Sequence, residues 1–511
     1  MSNWIGGTLE LSSKVRYGLT SRGVPIFRFI PYDKKRSPLA VGCSTRDLFY
    51  NVHAIVEAQP NPNPKPNELQ RGNLIQYDVS EKDVLLATYA YDCHKELRKE
   101  FTTDGFLSKP DFTTRTFVKE GFTFHIDPPG CMDADDSFTF VKEGKAWRVW
   151  INIADVATWI PEGCPLDLNA QQRSTTFYTP DGAAISPMLP RNLSEDFASL
   201  AQPGPHATLS LTFLWTPGQP IPEFKWVETV TECQARFTYE ELNQGRVLGF
   251  GEEAFEEVNT LPEMEALRHL ARELGGDVND SHTWVQMMMI LYNKKAGELL
   301  KPYSTGILRR HGPPQTTKLE PLREFLIRDV GLMFLAFESA EYCLSTDKNT
   351  EHFGLETDAY AYASSPLRRY VDLVNQRAIK NIIQKKPITP LTQELVDEMN
   401  RRGKQAKAFN RDLFFSSTLL QEYAKSKEAN VLPMSQGTVL SKVNAKGKFE
   451  VYVASWKRII KVKSMDFFPE PGTRVQISWY EDRTQPRWKE RMVFQAKEEN
   501  GNPTPPTSSC P

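Results

Sequence analysis

The stretch that most restricts what this chain can fold into is residues 125–136, HIDPPGCMDADD, with four carboxylates, Asp127, Asp133, Asp135 and Asp136, inside ten positions. Phe122, Phe124 and Ile126 alternate just before it, the pattern of a half-buried strand. Pro128, Pro129 and Gly130 then break that strand, because proline lacks a ladder donor and glycine admits a sharp turn. In a straight strand Asp133 and Asp135 share one face while Asp136 points to the other. Only a chain that turns back on itself brings all four together. Converged carboxylates repel, and the usual compensation is one or two hard divalent cations with oxygen ligands.

Two plainer readings compete. A DxDD run is commonly a solvated acidic loop. A calcium loop of the EF-hand kind fails in detail: with Asp133 as first ligand, the glycine position holds Phe138 and the closing glutamate position holds Gly144. The setting favours a catalytic site. Phe138, Phe140, Trp147, Val149 and Ile151 return to apolar alternation, and a solvated loop does not need a core strand on each side.

At 511 residues the chain has room for two to four domains and a large core. Its net charge of −2 masks local basic segments, so an anionic ligand is not excluded. The seven cysteines lack CxxC spacing, which argues against a zinc site or a disulfide framework and for a reducing compartment. The opening residues are no signal peptide, and the longest apolar run, 330–337, is too short for a bilayer. A cytoplasmic monomer without a membrane is expected, with nuclear or organellar placement as the alternative.

Residues 1–82 read as a small β-barrel containing a proline-rich loop at 61–67. Its basic residues, from Lys14 to Arg36, are interleaved with Tyr17, Phe27 and Tyr32: a solvated barrel face or a single-strand nucleic-acid platform. Residues 83–111 form a connector. Residues 112–428 form a third segment, mostly strand to about 235 and mostly helix from 238, with methionines and aromatics at core spacing. Within it Asp155 is either a supporting group or a turn cap. Tyr178 stands before a Pro-Asp-Gly turn, where its ring either packs in the core or projects and stacks on a base. Arg309, Arg310 and His311 gather at a strand or loop end. Arg368 and Arg369, in SSPLRRY, fall in the first turn of a helix and suit bidentate anion recognition, unless they form a surface pair or a bridge to Asp372.

Residues 433–496 show five short strands, the pattern of an OB-type barrel, with twelve Lys/Arg against six Asp/Glu between Gly437 and Met492. Tyr452, Trp456, Trp479 and Trp488 lie among them, either as an RNA-binding surface or as the fill of a small core. The tail, 497–511, is expected to be disordered.

Together the acidic spacing, the segment from Arg173 to Tyr178 with Pro187-Met-Leu-Pro190, and SSPLRRY resemble the RNB catalytic domain of the RNase II and RNase R exoribonucleases. The likeness covers about 112–428, including 308–314 and 352–355. It implies an α+β fold, a mixed catalytic core flanked by small OB-like barrels. It implies processive or distributive 3′-to-5′ hydrolysis of single-stranded RNA to nucleoside 5′-monophosphates. Carried over, Asp127, Asp133, Asp135 and Asp136 hold Mg²⁺, with Mn²⁺ as an alternative, or its attacking water. Arg368 binds the scissile phosphate and Tyr178 stacks near the 3′ end. Arg369, Arg309, His311 and Trp456 are further substrate-binding candidates.

Departures from the family pattern are Asn410 at a glutamate position, Gln376 at a histidine position and Tyr362 at another. They touch rate and the handling of the RNA end. The alternatives are an RNA-binding protein with a decayed site and an Mg²⁺-dependent phosphodiesterase that trims RNA 3′ ends.

Overall fold

Apolar alternation becomes strand wherever turn residues bracket it, first at the N-terminus. The computed structural model describes residues 4–61, 68–91, 95–103, 105, 107–244, 248–249, 261–315, 338–428, 433–463 and 467–498. Most of the 61–67 loop, residues 250–260 and 316–337 of the stretch expected to be mostly helix from 238, and nearly all of the tail lie outside these. The chain divides into two compact units, one of residues 1–98, 314–338 and 407–511, the other of 99–313 and 339–406.

In the first unit, β1 (Trp4–Leu9), β2 (Ile26–Pro31), β3 (Leu39–Gly42), β4 (Val52–Ala58) and β5 (Gln70–Tyr77) close a barrel in the order β1-β2-β3-β5-β4. Leu9, Phe27, Phe29, Val41 and Val56 fill it. The helix α1 (Glu81–Tyr89) starts at Ser80, whose hydroxyl accepts from Asp83 N–H. It packs on β1 because residue 6 is glycine: a Cβ there would stand 2.4 Å from the Val84 carbonyl oxygen.

The second unit holds an eight-stranded mixed sheet. Its strands are β6 (Thr116–Phe117), β7 (Phe122–Asp127), β8 (Asp136–Glu143), β9 (Ala146–Ala154), and, after α2 (Pro165–Arg173) and the hairpin of β10 (Phe177–Tyr178) with β11 (Ala184–Ser186), β12 (His206–Trp215), β13 (Phe224–Thr231), β14 (Ala235–Thr238) and, beyond α3 (Tyr239–Asn243), β15 (Leu248–Gly249). The order is β15-β14-β7-β8-β9-β12-β13-β6. On one set of alternating positions Phe124, Phe138, Val149, Leu211 and Phe213 join α4 (Pro262–Glu273) and α5 (Ser281–Leu300) in a single core. The intervening polar residues are buried as well and pair among themselves: Thr123 with Thr139, Asn152 with Thr139 and Ser210, and Thr208 with Thr229. The antiparallel pair of β16 (Ile307–Arg310) and β17 (Glu341–Leu344) is followed by α6 (Tyr370–Ile383) and the long α7 (Gln393–Glu428), whose residues from 407 onward belong to the first unit.

The C-terminal strands β18 (Met434–Val439), β19 (Lys448–Val453), β20 (Arg458–Lys463), β21 (Arg474–Glu481) and, after the one-turn α8 (Trp488–Arg491), β22 (Met492–Glu498) form a second small barrel, ordered β20-β19-β18-β21-β22. Here Trp456 departs from its expected role in substrate binding. It is 1% exposed, packs on Phe415 and Phe494, and donates its indole N–H to Glu422 at 2.9 Å. A barrel this small is filled by its own aromatics, and Trp479 is buried in the same core. Phe27 is likewise core and not platform. The two ends of the chain join in the first unit through buried polar contacts. Asp412, fully buried, accepts from Tyr89 at 2.8 Å and pairs with Arg458 and Lys489 at 3.0 Å each.

Candidate active site

The acidic run folds as its breakers require. β7 ends at Asp127, Gly130 takes a φ of 77°, and β8 begins at Asp136. Asp127, Asp133, Asp135 and Asp136 line one cavity of about 820 Å³ in the second unit, together with Tyr178, Arg309, His311, Arg368 and Arg369. Nine of the ten candidate site residues are thus brought together from four chain segments; Trp456 is not among them.

Each carboxylate has a different setting. Asp127 accepts from His125 Nδ1 at 2.8 Å. Asp133 accepts from the Tyr178 hydroxyl. Asp135 receives Leu367 N–H on Oδ1 at 2.8 Å and Arg368 Nε on Oδ2 at 2.9 Å, so the acidic turn and the SSPLRR loop are stitched at one side chain. Asp136 keeps a buried Oδ2 without a hydrogen-bond partner. Burial raises the pKa of Asp133 and pushes Asp135 up to about 7, against the pull of Arg368. Asp136 is held well above the usual carboxylate range by burial and then by the Asp127 and Asp135 charges.

This donor set fits a hard divalent cation: oxygen ligands, excess negative charge and an orphaned carboxylate oxygen. The side chains are not drawn together around a common point, and no group of three or more His, Cys, Asp or Glu among the described residues stands in ligand geometry. Asp133 and Asp135 are instead engaged by Tyr178 and Arg368.

The arginines lie before the helix and not in its first turn, Arg369 being the N-cap of α6. Arg368, with 42% of its side chain exposed, also donates Nη2 to Ser365 Oγ at 2.9 Å. Arg369 was a candidate for anion binding, yet its guanidinium is taken by Asp372 in a bidentate pair at 2.7 and 2.8 Å and covers the Tyr362 ring at 4.0 Å. Asp372, fully buried, also accepts from Ser365 N–H at 2.8 Å and so shapes the loop. Arg309 stacks on the other neighbours of this wall, 4.8 Å from Tyr362 and 5.5 Å from Tyr342. His311 packs 5.1 Å from His352.

Sequence reasoning missed the groups that hold the site. Asn293 on α5 accepts from Ala363 N–H at 2.9 Å and donates to Ser364 Oγ at 3.1 Å, fixing the start of the loop. Gln376, one of the departures, is buried and bridges the end of β9, donating to the Ala154 carbonyl at 2.8 Å and accepting from Ala157 N–H at 3.0 Å. Asp155 caps the turn after β9 through Thr158 N–H and lies away from the cavity lining.

The RNB-domain family pattern matches residues 115–275 and 268–385, together more than half of the chain. Ribonuclease R of Vibrio cholerae is 26% identical over 322 residues, which are 51% of this chain and 39% of that protein. The match therefore spans well under half of that relative's length. Among solved structures, Mycoplasma genitalium RNase R in complex with ribose-methylated single-stranded RNA superposes with a TM-score of 0.65 at 14% identity, covering 96% of this chain and all of that one. Yeast Ssd1, a pseudonuclease, superposes with a TM-score of 0.69 at 17% identity over 94% of this chain and 68% of its own. With the eight-stranded sheet, the acidic turn and the arginine loop all inside the matched span, the chain belongs to the RNB-domain family.

Proposed function

We propose that this chain is a metal-dependent 3′-to-5′ exoribonuclease that hydrolyses single-stranded RNA to nucleoside 5′-monophosphates. The observation that carries this reading is the facing of two opposite charges across one cavity: four carboxylates from a single turn, and Arg368 gripped by one of them. Asp127, Asp133, Asp135 and Asp136 would hold Mg²⁺. Bound there, the ion supplies charge neutralisation at the phosphate and a water acidic enough to attack near neutral pH. Arg368 binds the scissile phosphate from a position fixed by Asp135 and Ser365. Tyr178, oriented by its hydrogen bond to Asp133, presents its ring to the last nucleotides. Arg309 and His311 line the same cavity as further contacts, while Arg369 acts through Asp372.

The two barrels, 1–82 and 433–496, serve as RNA-binding modules that precede and follow the 112–428 catalytic domain in the sequence. In the first unit Arg28, Lys34, Arg36, Arg487 and Lys489 border a second cavity of about 520 Å³ beside Tyr32 and Trp488, a mix of cation and ring that suits single strands.

A second reading, an RNA-binding protein with a decayed site, is favoured by the likeness to a pseudonuclease and by Asn410 and Gln376. Retention of all four aspartates with Arg368 weighs against it. Labelled RNA and DNA of one sequence, incubated with Mg²⁺ or EDTA, separate the possibilities. The exonuclease shortens RNA from its 3′ end in Mg²⁺ alone, and binds DNA within about tenfold of RNA, ~1.4 kcal/mol, while leaving it intact, because only a contact to the 2′-hydroxyl tells the two apart. Binding without cleavage supports the decayed site, and rapid DNA digestion supports a general phosphodiesterase.

A further inference from the structure

Asp127 and Asp136 are held by β7 and β8, but Asp133 and Asp135 lie in residues 131–135, outside any strand, and something else must hold them toward the cavity. The anchor is Ala134. Its side chain is fully buried in a core that includes Leu200 and Ala198. Its N–H donates to Ser199 Oγ at 3.1 Å and its carbonyl accepts from Leu200 N–H at 3.0 Å. The same Ser199 hydroxyl donates to the Met132 carbonyl at 2.6 Å and accepts from Ala201 N–H at 3.2 Å. Ser199 is itself fully buried, so water cannot substitute for it.

In an extended chain the neighbours of a residue point opposite to it. Seating Ala134 in the core therefore aims Asp133 and Asp135 together at the cavity. We propose that Ser199 is a positioning residue of this site, its hydroxyl setting the spacing of Asp133 and Asp135 for the divalent cation while touching neither cation nor RNA. The inference rests on the carboxylates being the cation site. It concerns a residue sixty-odd positions away that carries no charge.

Ser199→Ala removes the hydroxyl and Ser199→Thr retains it; both are made in the full chain. Three quantities are read: hydrogen exchange of the 131–136 amides, the Mg²⁺ concentration giving half-maximal cleavage, and the affinity for single-stranded RNA in EDTA. For Ser199→Ala the amides of the turn exchange at least tenfold faster while those of β8 and β9 are unchanged. The half-maximal Mg²⁺ rises about tenfold, and the RNA affinity stays within twofold. Ser199→Thr restores the Mg²⁺ response. A Mg²⁺-induced rise in melting temperature, present in the parent and reduced in Ser199→Ala, supplies a readout that needs no cleavage. Unchanged turn exchange in Ser199→Ala, or an unchanged Mg²⁺ midpoint, overturns the proposal. A general loss of protection across the sheet also overturns it, by making Ser199 a fold residue. If the parent shows neither cleavage nor a Mg²⁺-induced shift, the cation reading fails, and with it the role of Ser199 in cation spacing, while turn exchange still reports whether the clamp exists.

Discussion

Two carboxylate centres lie just beyond the adjacent ends of β8 and β9 and are built to opposite purposes. The Asp135 carbonyl accepts from Ala154 N–H, and the residue after Ala154 is Asp155. Asp155 is fully buried and is matched by two cations, Arg115 and Lys380, each 2.6 Å away, with Glu228 completing the cluster. Burial by itself would raise its pKa; Lys380 and then Arg115 override burial and hold the carboxyl below the ordinary range. In the cavity Arg368 is, among the described residues, the one arginine or lysine paired with any of the four aspartates, and there burial prevails. Paired charge is an arrangement for holding a fold together. Carboxylates in excess of the cations that pair with them, kept in a cavity, are an arrangement for receiving positive charge.

The sharpest way to break the comparison is to neutralise one carboxylate in each centre. Asp135→Asn should lower the cleavage rate by roughly 10²–10³-fold or more, the scale for removing one preorganised charged group. RNA binding should be kept or tightened, since one repulsion is gone. Cleavage assays beside EDTA binding assays check this, and near-normal turnover would sink the cation assignment.

Asp155→Asn should do the converse, leaving two buried cations short of a partner at a cost of roughly 3–5 kcal/mol. Melting temperature should drop markedly while turnover per folded molecule stays close to the parent's. A clean loss of turnover with normal melting would erase the distinction drawn between the two centres.

The opposed pKa shifts give opposed pH slopes. Folded Asp135 keeps its proton up to about 7, whereas the unfolded chain loses it near 3.8, so this group makes the metal-free protein less stable as pH rises through that window. Asp155, being depressed, contributes stability above 3.8 that disappears as pH falls through its lowered value. Melting curves in EDTA between pH 4 and 8 should show Asp135→Asn gaining on the parent as pH rises. A gain that shrinks with pH would contradict the sign. Mg²⁺ should narrow the gap.

The smallest effect is expected at Tyr178. Tyr178→Phe loses the hydrogen bond to Asp133 but keeps the ring, so turnover should change only a few-fold. Tyr178→Ala also loses stacking worth ~1–3 kcal/mol per base and should alter the length of the final short product. Gel analysis of end products distinguishes the two, and identical products from both variants would return Tyr178 to a packing role.

What the sequence by itself determined about this protein is what local chemistry can carry. Alternation at 122–126 and 138–151 wrote β7, β8 and β9, Pro-Pro-Gly wrote the break between β7 and β8, and the four aspartates were readable because a chain that turns back there carries them to one end of the sheet. Turn-bracketed alternation likewise foretold both barrels. Tertiary structure decided which side of an element faces water and which distant group completes a pair. Trp456 among lysines and arginines reads equally as a surface ring or a core ring, and only closure of the barrel around it settles the matter. Arg368 and Arg369 are adjacent and chemically alike, yet one meets Asp135, 233 positions away, and the other Asp372 on the next turn. Ser199 and Asn293 carry no signal in their own neighbourhoods. Their roles arise from buried hydrogen bonds to segments 65 and 70 residues distant, and a pairing of that kind exists only once the chain has folded.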